Sequence, residues 1–305
     1  MDTQAEEASW EPLRPQLSPE YLERALELLS RYYDFVTMDE VTAMLEGRLP
    51  LKPNCCAFTF DDGYRNNAIH ALPKLQKYGA PAVFYIATGH TDEQRPFWVD
   101  RLDYALQFAD INGKTIRHED TEITIDNSSR HALSKSFAQL RSILKHADMP
   151  DIEMRNYFDQ LTESLETQSG RNLNQIIKND PWSSILTWDE VASISHTDGI
   201  IVGSHTVNHV RLAQADADTI RKQLIRSKEA IERVTGESCR HFCYPNGSWN
   251  QQAVDILKET GYISAVTSDE GINNPGADPF KLKRISISGK KDPLFLLAST
   301  CGLSR

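Results

Sequence analysis

Residues 55–63 read Cys-Cys-Ala-Phe-Thr-Phe-Asp-Asp-Gly (CCAFTFDDG), a short apolar run that stops at two carboxylates and a glycine. A run of this length, bounded at once by turn residues, reads as a buried strand. A helix is expected next over residues 68–77, and then a second strand over residues 81–86 (PAVFYI), rich in β-branched and aromatic side chains. Strand, helix and strand make a βαβ unit, and with it a parallel sheet.

Outward from this unit the alternation continues. Upstream, residues 18–31 (SPEYLERALELLSR) carry a serine cap, a proline at the first helical position and leucines at helical spacing, and residues 39–45 form a second, short helix. Downstream, strands are expected at residues 200–203, 241–244, 263–267 and 284–287, with helices over 215–234 and 251–260 between them. Between about residues 97 and 182 the pattern changes to long polar helices, relieved by one strand-like alternation at 121–125. The expectation is an α/β catalytic domain spanning residues 1–305 with a mostly helical insertion at about 97–182, the chemistry lying outside the insertion.

A chain of 305 residues that is 40% hydrophobic can bury a substantial core. Its net charge of −10 excludes a binder that tracks nucleic-acid phosphates, which needs a basic stripe. No window approaches the roughly 20 apolar residues of a membrane span. The N-terminus, MDTQAEEASW, lacks the basic start and apolar run of an export signal, so a cytoplasmic protein is expected. Five cysteines do not make a disulfide framework, and Cys55, Cys56, Cys239 and Cys243 read as small core residues.

Three polar groups each follow an expected strand: Asp61-Asp62-Gly63, Ser204-His205-Thr206-Val207-Asn208-His209, and Tyr244-Pro245-Asn246-Gly247. The carboxyl ends of parallel strands share one face, where active sites are built, so residues distant in sequence converge there. His205 and His209 are four apart, and one helical turn would present both imidazoles to a metal. Adjacent ionised carboxylates repel unless a cation shares the site, so a metal on Asp62 leaves Asp61 free as a base. Two histidines and one carboxylate leave positions open for water and substrate, as a catalytic site requires.

These motifs, TFDDG followed by HTVNH, resemble the polysaccharide deacetylase family, carbohydrate esterase family four. The stretches Leu186-Thr187-Trp188-Asp189-Glu190, Phe242-Cys243-Tyr244-Pro245-Asn246-Gly247 and Leu282-Lys283-Arg284-Ile285 add to the likeness. It implies a distorted (β/α) barrel, Asp61 as general base, and a divalent metal, usually zinc, on Asp62, His205 and His209. It also implies a substrate cleft along Tyr244, Pro245 and Asn246, whose backbone N–H at Asn246 helps hold the oxyanion. Two departures stand out. Many members carry an arginine on the base where this chain has Cys243, and a late Leu-x-His motif is absent. Arg284 is the candidate for the missing arginine, reaching Asp61 from a neighbouring strand end. The proton donor has no assigned residue: Asp61 acting in both steps, a metal-bound water and His241 are the candidates. Trp188 is either a helix-start residue or a sugar platform.

The activity expected is removal of N-acetyl or other acyl groups from amino sugars of an oligosaccharide or sugar conjugate. The alternatives are hydrolysis of a non-sugar amide by the same metal, and a glycan-binding homologue without turnover.

Overall fold

The computed structural model describes residues 10–118, 121–146, 149–287 and 292–302, in two compact units. The first takes Leu17–Gln94 and the chain from Ile185 onward; the second takes Arg95–Ser184 with the N-terminal segment up to Gln16.

The first unit opens with α1 (Pro19–Leu29), β1 (Asp34–Phe35), α2 (Met38–Leu45), β2 (Cys55–Cys56), β3 (Phe58–Phe60), α3 (Arg65–Lys77), β4 (Ala82–Ile86) and α4 (Thr88–Glu93). In the second unit α5 (Trp98–Phe108) leads to the hairpin β5 (Thr115–His118) and β6 (Thr121–Thr124), then to α6 (Arg130–His146) and α7 (Asp151–Ser169). The chain returns to the first unit through α8 (Trp188–Ser195), β7 (Ile200–Ser204), α9 (Ala217–Thr235), β8 (His241–Cys243), α10 (Gln251–Glu259), β9 (Ser264–Glu270), β10 (Leu282–Arg284) and α11 (Pro293–Thr300).

Six strands form one parallel sheet in the order β10-β9-β8-β7-β4-β3, curled into a half-barrel with helices outside. β3 and β10 are its two edges. Ser18 caps α1 as its sequence implies, accepting from Tyr21 N–H, and Leu22, Ala25, Leu26 and Leu29 enter the outer core with Phe58, Phe84 and Phe242. The inner face of the barrel is a separate cluster of Met38, Val83, Tyr85, Cys243, Val266 and Leu282. Gly203 makes room inside it, since a Cβ there would stand 2.5 Å from the Tyr85 ring.

Strand boundaries differ from their sequence reading at two places that bear on the site. The run 55–60 is broken at Ala57: β2 pairs with β1, and β3 alone joins the main sheet. The last strand is Leu282–Arg284 and not 284–287, so Arg284 ends a strand instead of starting one.

In the second unit a core of Leu102, Leu106, Phe137, Leu140 and Phe158 joins helices and hairpin. Residues 10–14 are sewn into it: Trp10 Nε1 donates to Asp180, Leu13 N–H to Asp103, and Arg14 pairs with Asp100. Burial raises the Asp103 carboxyl to about 7. Residues 1–9, on which the leader argument rests, lie outside the described residues. Among the described residues no helix is long and apolar enough to cross a membrane.

Candidate active site

β3 is only three residues long: its partner β4 runs on to Ile86, but the chain turns sharply at Asp62 (φ 76°) and Gly63 (φ 86°). Alternation along the strand puts Thr59 and Asp61 on one face. Both meet Arg284, from the opposite edge of the sheet and not from a neighbouring strand.

All five N–H donors of Arg284 have acceptors. Nη1 reaches Thr59 Oγ1 at 3.0 Å and Asp61 Oδ1 at 2.8 Å, Nη2 reaches Asp61 Oδ2 at 2.8 Å and Cys243 Sγ at 3.4 Å, and Nε donates to the Thr267 carbonyl at 2.7 Å. The Asp61 contact is the bidentate fork that only arginine offers. Burial alone would push the Asp61 carboxyl up, but the charge and hydrogen bonds of Arg284, with His205 beyond, hold it below the usual carboxylate range. Burial, and next the Asp61 charge, push the Cys243 thiol up, so it stays a neutral thiol.

The histidines follow β7. His205 is buried, and its Nδ1 lies 2.8 Å from the Cys243 carbonyl. A carbonyl can only accept, so Nδ1 carries a proton, which leaves Nε2 as the nitrogen that a cation would take. His205 Nε2 and His209 Nε2 converge on one oxygen, Asp62 Oδ1, at 3.2 and 3.3 Å.

The intervening segment is not the helical turn that the four-residue spacing suggests. Thr206 (φ 65°) and His209 (φ 55°) are left-handed, a conformation rare for a β-branched residue. Neighbours enforce it: Gln223 Oε1 accepts from Val207 and Asn208 N–H, Thr206 Oγ1 accepts from Val210 N–H, and Thr88 and Gly89 of α4 donate to the Thr206 and Val207 carbonyls.

Among the described residues, two donor sets are close enough to hold an ion, each with its ligand atoms within 4.8 Å. Asp62, His205 and His209 fit a divalent cation: two imidazole nitrogens and a carboxylate oxygen converge, and a backbone acceptor orients one of the rings. Asp61, His205 and Cys243 do not, because Arg284 already occupies both Asp61 oxygens and the thiol is neutral.

The other residues singled out by sequence separate into groups. Tyr244 is in the core, its hydroxyl donating to the Phe280 carbonyl at 3.0 Å, so its side chain is withdrawn from substrate; Pro245 is also buried. Asn246 is left-handed (φ 54°) and sits over β9, with Ser268 Oγ donating to its carbonyl at 3.4 Å. Trp188 is half-buried at the first position of α8, its Nε1 donating to Asp92 Oδ1 at 2.7 Å.

His241 is at the start of β8, buried, with Nδ1 on Ser264 and Nε2 on Asp39, so it has no proton to offer at the site. His90 is buried in α4, and His196 caps α8 through Nδ1 and the Ala192 carbonyl. Sequence reasoning missed Thr59, Gln223, Asp92 and the double duty of Cys243. Thr59 had a signal: it stands two residues before Asp61 on a strand. Gln223 had none.

The model of the polysaccharide deacetylase family matches residues 48–265, which include Asp61, Asp62, His205, His209 and Asn246 but not Arg284. YxkH of Bacillus subtilis (strain 168) is 20% identical over 256 residues, 84% of this chain and 60% of its own length. A chitin deacetylase of Pestalotiopsis sp is 27% identical over 106 residues, 35% of either chain. Among solved structures, the Streptococcus pyogenes deacetylase PplD in complex with acetate superposes with a TM-score of 0.61 at 19% identity, covering 98% of this chain and 93% of that one. The likeness to PplD is one of fold. The chain thus spans about 60% of the length of YxkH and 35% of that of the chitin deacetylase. With the family model covering well over half of the sequence, the chain belongs to the polysaccharide deacetylase family.

Proposed function

We propose that this protein is a hydrolase that removes N-acetyl groups from amino sugars of a glycan or glycan precursor. The observation that carries the reading is the pairing of two carboxylates in different employment. Asp61 is ionised and gripped by Arg284, while its neighbour Asp62 turns to the two imidazoles. A binding protein needs the second arrangement but has no use for the first.

A divalent cation held by Asp62, His205 and His209, zinc by its donor set, would polarise the acyl carbonyl and acidify the attacking water. Asp61 accepts the proton of that water, its lowered pKa keeping it unprotonated at neutral pH. Arg284 fixes the carboxylate in plane and makes no contact with substrate, since its donors are all engaged. The oxygen of water adds to the amide carbon and charge gathers on the carbonyl oxygen, which the Asn246 N–H would receive. The C–N bond then breaks, acetate departs, and the amine takes a proton. With His241 withdrawn and no late histidine in the sequence, Asp61 is the residue that returns it.

The test is acetate release by the metal-loaded protein from a panel of short N-acetylated oligosaccharides, with allantoin-like cyclic amides alongside. Acetate from the saccharides supports the reading. Turnover of the cyclic amides alone would move the activity to another amide class, and metal binding without any turnover would favour a glycan-binding role.

A further inference from the structure

Trp188 does not owe its place to helix formation. The start of α8 is already fixed by a complete capping box, with Thr187 Oγ1 accepting from Glu190 N–H and the Glu190 carboxylate accepting from Thr187 N–H. The indole packs one part against the outer core and leaves the rest at the surface. Its N–H is tied to Asp92 Oδ1 at 2.7 Å, which fixes the plane of the ring where packing alone leaves it free to turn. Among the described residues, no aromatic ring or cation stacks on this indole, and Asp92 Oδ2 makes no hydrogen bond or ion pair.

The carriers of both side chains are tied to the reaction centre. Leu186 N–H, two residues before Trp188, donates at 2.9 Å to the carbonyl of Gly63, the neighbour of Asp62. Gln94, which caps the helix of Asp92, donates at 3.2 Å to the Leu186 carbonyl. At its other end that helix donates to the Thr206 and Val207 carbonyls, between the two histidines. A Cβ at Gly89 would stand 2.8 Å from Asn208 Oδ1, so glycine is what lets helix and histidine segment touch. Trp188 and Asp92 therefore belong to the rim of the same site.

We infer that Trp188 and Asp92 form a sugar subsite, binding a pyranose ring of the glycan next to the reacting residue. The exposed indole takes the C–H face of the ring, and Asp92 Oδ2 accepts from its hydroxyl or amino groups. A rigid apolar surface beside one oriented polar atom is how a site fixes an amphipathic ligand. The inference rests on the glycan deacetylase reading and adds a length requirement: the preferred substrate has more than one sugar, and Asp92 is a specificity residue with no part in the chemistry.

The experiment compares N-acetylglucosamine with its β-1,4 and β-1,6 tetramers in the metal-loaded parent, Trp188→Ala, Trp188→Phe and Asp92→Asn. The readout is the ratio of KM for tetramer to KM for monomer. Trp188→Ala should raise this ratio about tenfold and Asp92→Asn about threefold, with Trp188→Phe restoring most of the stacking. A ratio that stays at the parent value in Trp188→Ala, or KM values that rise equally for monomer and tetramer, would overturn the subsite and leave Trp188 structural.

Direct binding of the tetramers to metal-loaded Asp61→Asn protein, followed by intrinsic fluorescence, separates this inference from the reading beneath it. Binding that depends on Trp188 in a chain whose parent releases no acetate would sink the deacetylase and keep the subsite. Absence of binding to either tetramer would remove the subsite whatever the parent does.

Discussion

Each end of the barrel has a buried histidine that faces an aspartate. At the carboxyl ends of the strands, His205 faces Asp62; at the amino ends, His241 faces Asp39. Both imidazoles are almost fully buried, 2% and 1% exposed. They differ in backbone and in what is left over. His241 lies in a regular strand and spends both nitrogens on single partners, Ser264 and Asp39. His205 sits beside left-handed residues and shares its carboxylate oxygen with a second histidine, so three ligand atoms point at one place. Burial and a carboxylate partner do not by themselves make a site. Convergence held by strained backbone does, and the strain is maintained by hydrogen bonds from α4 and Gln223.

The largest effect that can test this contrast is at the converging end. His205→Ala or His209→Ala should reduce divalent metal from about one per chain to near zero, by elemental analysis, and acetate release about 10³-fold. Full occupancy in both variants would dissolve the distinction between the two ends.

Asp61→Asn should retain metal and fold, yet lose about 10²-fold in turnover, the usual worth of a positioned base. Loss of metal together with activity would exchange the roles assigned to Asp61 and Asp62.

Arg284→Ala should lower kcat/KM about 10- to 100-fold with little change in metal content. Burial and Asp62, both raising the Asp61 pKa, are then opposed chiefly by His205. The acid limb of the kcat/KM profile should move to higher pH; an unmoved limb would return Arg284 to a purely structural role.

The smallest effect on activity belongs to the other end. His241→Gln should leave kcat/KM within about twofold of the parent and lower Tm by roughly 2–4 °C, the worth of about 1 kcal/mol in a domain of this size. The hydrogen bond from His241 holds the Asp39 carboxyl below its usual range. Its stabilisation is therefore present above the unfolded carboxylate pKa of about 3.9 and lost as pH falls through the folded value. The Tm gap between parent and variant should narrow below about pH 4, and a gap that widens there would contradict the pairing.

How much of this the sequence discloses depends on range. The strands that end at Phe60, Ser204 and Cys243 are legible because an apolar run meets turn residues within a few positions. The meeting of Arg284 and Asp61 is legible as chemistry, since a buried base wants a cation. Their strand relation is not, because sheet order depends on long-range pairing that no local pattern records. The left-handed Thr206 and His209 are hidden for the same reason, as the forces that impose them come from Gln223 and from α4. Tyr244 misleads because the carbonyl of its neighbour Cys243 meets His205 while its own ring turns inward. The hold on residues 10–14 by Asp100, Asp103 and Asp180 also lies beyond any local reading.

Arg284 stands on one edge of the sheet and both of its side-chain oxygen partners, Thr59 and Asp61, on or just beyond the other. β3 and β10 share no ladder, so this guanidinium spans the seam of an unclosed barrel. Each opening of the seam strips Asp61 of its partner, its orientation and its low pKa in one event. Turnover should accordingly fade on warming before the ellipticity of the helices does, and return on cooling, because the reaction requires the seam to be shut while the rest of the fold does not.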